Sequence, residues 1–477
     1  MNKKLSEALD QISDRHIAEA AAHKKRRTFI LPAAVAAVVV LSLVVASLIR
    51  PLALSQNDKF PGIHDGLLLA APIYPVMTHY PTDYTDDDSY LSWQADQNAL
   101  HRQPKGYADN LDPYFAAITN ALLSDTGGNN ATCSPVNIYL ALAMLAETTD
   151  RASRQQILDL LGAESIKDIR TQAEQVWQAH YNDDGLTTSI LANSLWLEEG
   201  YTYNEKTVEL LADKYYASVF QGDLGSEEVN QALRDWINTQ TGGLLQEQTK
   251  ELKLDAQAVL ALVSTIYYQV QWTDHFRPED STLAKFHGVN GNTTEEFMNR
   301  TLIYNPYYWG EHFGAVYLNL EDGSRMWLIL PDEGVTPEEL LASGEAMAFL
   351  QQDLNEYENQ KSLMVHLSVP KFDISSDMEL SAQLKALGIT DIFLPGVADF
   401  SPIIPVADGG CVSMVKHAAR VAIDEEGVTA AAFTVIMRAG AGMPPSDEMN
   451  FVLDRPFLFV IESQDGLPLF AGIVNQP

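Results

Sequence analysis

The chain has 477 residues, with 31 basic against 64 acidic side chains and a formal net charge of −33 at pH 7. That balance excludes nucleic-acid binding, which needs clustered Lys and Arg to displace counterions from phosphates, and it favours solubility and the steering of cationic partners. The length admits one large domain or two to three smaller ones, and two cysteines, Cys133 and Cys411, without CxxC or zinc-like spacing, read as buried free thiols rather than a disulfide framework or a metal site.

Leu5, Leu9, Ile12 and His16 recur at helical spacing and predict a short amphipathic helix in a segment spanning residues 1–27. Lys24, Lys25, Arg26 and Arg27 then precede an apolar run over 28–49. About 22 residues make roughly 33 Å of helix, the thickness of a bilayer core. The basic flank predicts a single-pass anchor with the N-terminus inside and the remainder outside. A cleaved signal peptide is the alternative, but the charged region and apolar core are long for one and no small-residue cleavage site follows Ser47.

Residues 50–106 are rich in Pro, Tyr and Asp, include Asp86, Asp87 and Asp88, and show no sustained period, which predicts an extracellular stalk. Regular patterning begins near Tyr107 and runs to Pro477 without a composition break, so 107–477 is expected to be one domain. Helical periodicity marks Asn137–Ala146, Arg154–Leu161 and Asn204–Tyr216. Alternating or continuous apolar runs mark strands at Val316–Leu320, Met326–Leu330, Leu363–Val369 and Phe457–Ile461. Helices followed by strands, without βαβ alternation, give an α+β class.

Catalytic signatures are missing: no nucleophile elbow, phosphate loop, zinc helix or dinucleotide fingerprint has the required spacing. GVNGNT at 288–293 and AGAG at 439–442 are glycine turns. Asp183 with Asp184 and Glu425 with Glu426 are adjacent acids that point to opposite faces of an extended chain, and they read as solvated charge rather than as an acid/base dyad. No catalytic residue, metal or cofactor is assigned.

The segment DEEGVTAAAFT, Asp424–Thr434, is small and uncharged after its acidic start, and no proline occurs before Pro444. As a strand it places Val428, Ala430, Ala432, Thr434 and Ile436 on one face; as an isolated pattern it fits an Ala-rich helix equally well. The rest of the chain separates the two. DRPFLFVIESQDGLPLFAGIVNQP at 454–477, headed by Asp454, Arg455, Pro456 and Phe457, resembles the closing signature of the serpin family. CSPVNIYLALAMLAE (133–147), LANSLWLEEGYTYNEK (191–206), VNQALRDWINTQTGGLLQEQ (229–248), LVSTIYYQVQWTDHF (262–276), LILP (328–331) and VPKFDISSDMELSAQLKALGITDIF (369–393) resemble further family segments in the family's order.

The resemblance implies a serpin fold: a large central sheet, two further sheets, about eight to nine helices and an exposed reactive loop. With the N-terminal anchor it implies a bacterial-type, membrane-tethered, monomeric inhibitor that traps an extracellular serine protease as a covalent acyl complex when the cleaved loop inserts into the central sheet. Such insertion is the family's well-known form of strand addition, driven by strain released on cleavage. The hinge it implies comprises Glu425, Glu426, Gly427, Val428, Thr429, Ala430, Ala431, Ala432, Phe433 and Thr434. Gly427 lacks a Cβ and can pivot, and Val428–Met437 carries no charge that a sheet interior would penalise.

Val428 replaces the family's usual Thr or Ser, and Phe433 is bulkier than the family norm but lies on the opposite parity. The family spacing counted from Gly427 puts the scissile residue at Ala441, beside Gly442; counted back from Pro456 it falls near Pro445, so Met437, Arg438 and Met443 stay open. Ala441 or Met443 suits an elastase-like or subtilisin-like pocket, Arg438 a trypsin-like one. Ser134, Asn137 and His417 match the family's polar cluster beneath the loop, with Ser264 where the family usually has Asn and Trp272 at the top of the same opening. Phe433 and Arg438 also leave room for a non-inhibitory serpin acting as a binding or structural module.

Overall fold

The computed structural model describes residues 66–81, 87–256, 258–405, 410–428 and 447–477. The apolar run 28–49, the predicted helix before it and the sequence from Thr429 to Ser446, with every scissile candidate, lie outside the described residues. Among the described residues no helix is long and apolar enough to cross a membrane.

Two sheets organise the described chain. The first has eight strands: β1 (Leu68–Ala70), β3 (Asn182–Asp183), β4 (Thr188–Glu198), β5 (Ala217–Gly222), β6 (Leu260–Gln271), β12 (Phe372–Glu379), β13 (Val412–Ile423) and β14 (Gly427–Val428). Its order is β1-β5-β4-β6-β14-β13-β12, with β3 paired to β4. The second has nine: β2 (Ala131–Cys133), β7 (Thr282–Gly288), β8 (Gly291–Trp309), β9 (Phe313–Asn319), β10 (Arg325–Pro331), β11 (Gln360–Pro370), β15 (Glu448–Val452), β16 (Phe457–Glu462) and β17 (Pro468–Val474). The two further sheets expected from the sequence are thus hydrogen-bonded into one, because the 19-residue β8 pairs with β7 and β11 and, at its far end, with β9. Eleven α-helices occur among the described residues rather than eight to nine; the surplus includes Asp87–His101 and the one-turn Gln246–Thr249.

The helix Pro135–Thr148 is apolar on all sides and every one of its residues is buried, as expected of a helix inside a core rather than on a surface. Its N-terminus is set by Pro135 at the first position and by Ser134, whose Oγ accepts from the Asn137 N–H at 3.2 Å. Contacts tie this helix to β4, β6 and β17, so it lies between the two sheets. Phe457 of the closing signature is buried 6.0 Å from Phe372, and the Arg455 guanidinium donates to the Pro331 carbonyl at 2.8 Å, fixing the C-terminal strands across the second sheet.

Residues 66–106 depart from the stalk expected over 50–106. β1 pairs antiparallel with β5 at the edge of the first sheet, Tyr74 stacks on Trp177 at 5.5 Å, and the helix Asp87–His101 is held by Trp93 Nε1 and Gln97 Nε2 donating to Asp184. The sequence concealed this because the anchoring side chains meet different elements and follow no shared period. Asp184 likewise corrects the solvated-charge reading: it is 1 % exposed and also accepts from the Leu186 and Thr187 N–H groups.

Candidate functional site

The centre of the first sheet is a fork. β6 and β13 pair directly and in parallel from Leu260 and Val412 to Thr265 and Ala418. Beyond that point residues 266–269 and 419–422 pair only with their outer neighbours β4 and β12, and at the open end β14 lies between the two strands. Val428 faces Val270 on one side and Ile423 on the other, and is 1 % exposed. The inner backbone groups of the parted strands form a template for one more strand.

At the closed end the structure brings Ser134, Asn137, Ser264 and His417 together. The Ser134 N–H donates to His417 Nε2 at 2.9 Å. A neutral ring that accepts at Nε2 carries its proton on Nδ1, which is 3.4 Å from Ser264 Oγ; that hydroxyl in turn lies 3.5 Å from the Asn137 carbonyl. Burial without a counter-charge pulls His417 down to about 3, so the ring stays neutral and the acceptor at Nε2 is preserved. Asn137 Nδ2 donates to the Thr265 carbonyl at 2.6 Å while Asn193 Nδ2 donates to Asn137 Oδ1 at 3.3 Å, so one helix side chain grips β4 and β6 at once. Thr265 Oγ1 reaches the Ala418 carbonyl at 3.3 Å, across the last direct pair before the fork.

At the open end Asp424 Oδ1 accepts from the Glu426 and Gly427 N–H groups, folding a tight turn between β13 and β14. Trp272, buried, donates from Nε1 to the Asp424 carbonyl at 2.8 Å and from its backbone N–H to the Glu426 carbonyl at 3.0 Å. Glu425 is 7 % exposed, pairs with Lys371 Nζ at 2.8 Å and accepts from Ser281 Oγ at 2.7 Å. The carboxyl sits below its ordinary range because those two partners outweigh the burial that opposes ionisation. Glu426 lies 3.0 Å from His275 Nδ1. Glu425 is therefore not solvated charge, and Glu426 is half-buried.

Gly427 does not take a left-handed backbone. Its necessity is one of space: a Cβ there would fall 2.2 Å from the Val270 carbonyl oxygen and 2.7 Å from Gln271 Cα. Pivoting freedom is thus replaced as the reason by close approach of two backbones. Sequence reasoning assigned no role to Lys371, His275, Ser281, Thr265 or Asn193. Lys371 and His275 stood inside the motifs VPKFD and WTDHF, but an ion-pair partner more than 50 residues away leaves no local signal. Of the two free cysteines, Cys133 is buried, whereas Cys411 is only partly so.

Comparison with known proteins agrees with this architecture. The serpin (serine protease inhibitor) family matches residues 115–477, and the chain belongs to that family. Its relatives include Serpin-Z2B of Triticum aestivum, 29 % identical over 73 % of this chain and 90 % of the relative, and alpha-1-antitrypsin 1-1 of Mus musculus, 29 % identical over 87 % and 99 %. Among solved structures, the thermophilic serpin tengpin in its native state superposes with a TM-score of 0.70 at 24 % identity, covering 79 % of this chain and 95 % of tengpin. Arabidopsis AtSerpin1 in its native stressed conformation gives 0.68 at 24 % identity, covering 79 % and all of that chain. Serpins are typically protease inhibitors, and most are not enzymes.

Proposed function

We propose that this chain is a bacterial-type, membrane-tethered serpin that irreversibly inhibits extracellular serine proteases of elastase-like or subtilisin-like specificity, acting by cleavage of its loop and insertion of that loop into the first sheet. The observation that carries the reading is β14: two residues at the start of the hinge already occupy a central strand position, antiparallel to both neighbours, at the mouth of a fork that one more strand would fill. Filling it pairs the inner backbone groups of 266–269 and 419–422, each bond contributing roughly 0.5–1.5 kcal/mol net. The segment that would enter contains no proline before Pro444, as a central strand requires. About 14 inserted residues at roughly 3.3 Å each carry an acylated protease some 46 Å.

Incubating the purified full-length chain with elastase-like, subtilisin-like and trypsin-like proteases tests this. A complex that survives SDS, with the loop's new terminus at 441 or within a few residues of it, is the expected result; cleavage across the whole panel without complex or inhibition overturns it. Arg438, a charge on the inward parity of the inserting strand, favours a second reading, a non-inhibitory serpin, which predicts no rise in thermal stability on loop cleavage. The tether is tested separately: retention of the chain in the membrane pellet after alkaline extraction is expected, and release into the supernatant removes the anchor from the proposal.

A further inference from the structure

Away from the fork, a cleft of about 690 Å³ opens between the helix Asp87–His101 and the paired residues Ser189 of β4 and Tyr268 of β6. Its volume lies in the usual range of small-molecule sites, about 300–1,000 Å³. Five acids line it (Asp109, Asp184, Glu321, Asp322, Asp465) against one lysine, Lys105. Asp184 is held by Trp93, Gln97 and two backbone N–H groups; Asp322 accepts from Tyr268 Oη at 2.6 Å and from Ser324; Asp465 accepts from Ser463 and Tyr107 and lies 3.1 Å from His180 Nε2. Among the described residues neither Asp184 nor Asp322 has a Lys or Arg partner, whereas Asp465 is paired with His180, whose Nδ1 donates to the Val176 carbonyl at 2.7 Å and whose Nε2 faces the carboxyl, so that the pair holds a further proton between them.

The second observation concerns what the cleft lacks. Ser189 is 3 % exposed, yet its Oγ has no hydrogen-bond partner, and the buried Oδ1 of Asn182 beside it has none either. Both can accept a hydrogen bond, and Oδ1 can do nothing else. A buried acceptor left unpartnered destabilises the fold, and a donor brought to it relieves that cost. On the opposite wall Trp93 and Tyr90 present aromatic rings 5.6 Å apart, and Tyr90 is 43 % exposed. Unfilled acceptors, uncompensated carboxylates and aromatic faces converge on one chemistry: a ligand that donates N–H bonds, carries positive charge and satisfies a π face.

We propose that this cleft binds an organic ammonium ion, an amine whose nitrogen is held by Asn182 and Ser189 and whose body lies against Trp93. The site is independent of the inhibitory reading but touches its machinery: Tyr268 stands two residues before Val270, which pairs with Val428 of the hinge. An occupant braces β4 and β6 to the N-terminal helix at the open end of the fork.

Calorimetric titration of the full-length chain with tyramine and with spermidine, and with phenylacetate as the anionic control, tests the proposal. Saturable binding of at least one amine, weakened several-fold by added salt, with no phenylacetate binding, is expected. Ser189→Ala, which removes a hydroxyl that bonds to nothing else, and Asn182→Leu should each weaken that amine about tenfold, about 1.4 kcal/mol, with unchanged circular dichroism. The proposal is overturned if neither amine saturates by about 10 mM, the range of −3 kcal/mol, if phenylacetate binds as tightly, or if Ser189→Ala leaves the affinity of the amine unchanged.

Discussion

The two ends of the fork are held by different physics. At the closed end, Ser134, Asn137, Ser264 and His417 are each 2 % exposed or less and make neutral hydrogen bonds in a dry interior. At the open end, the Lys371–Glu425 pair is charged and partly reached by solvent, and His275 Nδ1 lies 3.0 Å from the half-buried Glu426. Neutral buried bonds are insensitive to salt and expensive to leave half-made, whereas ion pairs near water are screened and individually weak. Under the proposed loop insertion, the difference would leave β14 free to move while the junction behind it stays zipped.

Acid separates the ends most strongly. His417 titrates at about 3 in the fold against an ordinary value of 6.5, so the unfolded chain takes up a proton that the native chain refuses. Stability is therefore fully present above pH 6.5 and declines by about 1 kcal/mol per pH unit as pH falls toward 3, several kcal/mol in all. His180, lowered to about 4, acts in the same direction; Asp465, raised to about 6 by burial, acts in the opposite one between about pH 6 and 4. Equilibrium unfolding from pH 7.5 to 3.5 should show one proton's less slope in His417→Ala than in the parent, and an identical slope would mean that His417 charges in the native state.

At neutral pH the same substitution leaves the Ser134 N–H without its acceptor and a cavity behind it. A loss of about 3 kcal/mol is expected from the two effects together, read as a lower denaturant midpoint. Gly427→Ala addresses the open end: its Cβ has no room beside the Val270 carbonyl. Displacement of β14 at a cost of about 2 kcal/mol should appear as faster amide exchange at Val428. Lys371→Ala has the smallest effect, about 1 kcal/mol, and it should shrink further as salt rises while that of His417→Ala does not. Equal salt dependence of the two would erase the contrast drawn between the ends.

Much of this was legible in the chain. The motifs from 133 to 477 carried the fold class and marked Glu425–Thr434 as the hinge the family resemblance implies, because the family's order of segments is a property of local sequence. Local sequence failed at residues 66–106, where β1, Tyr74 and Trp93 each answer to a different distant partner. It failed again at Asp184 and Glu425, whose burial depends on donors that arrive from other elements.

Sequence by itself determined the α+β class and the order of family segments from Cys133 onward, that the chain is small and uncharged from Gly427 to Met437, and that no catalytic or metal motif is spelled out. Tertiary structure alone decided where β6 and β13 stop pairing, why position 427 admits no Cβ, and which carboxylates of the cleft have no Lys or Arg partner among the described residues. Those outcomes are set by atoms that meet across more than fifty residues of chain, and a period of two or 3.6 carries no information over that distance.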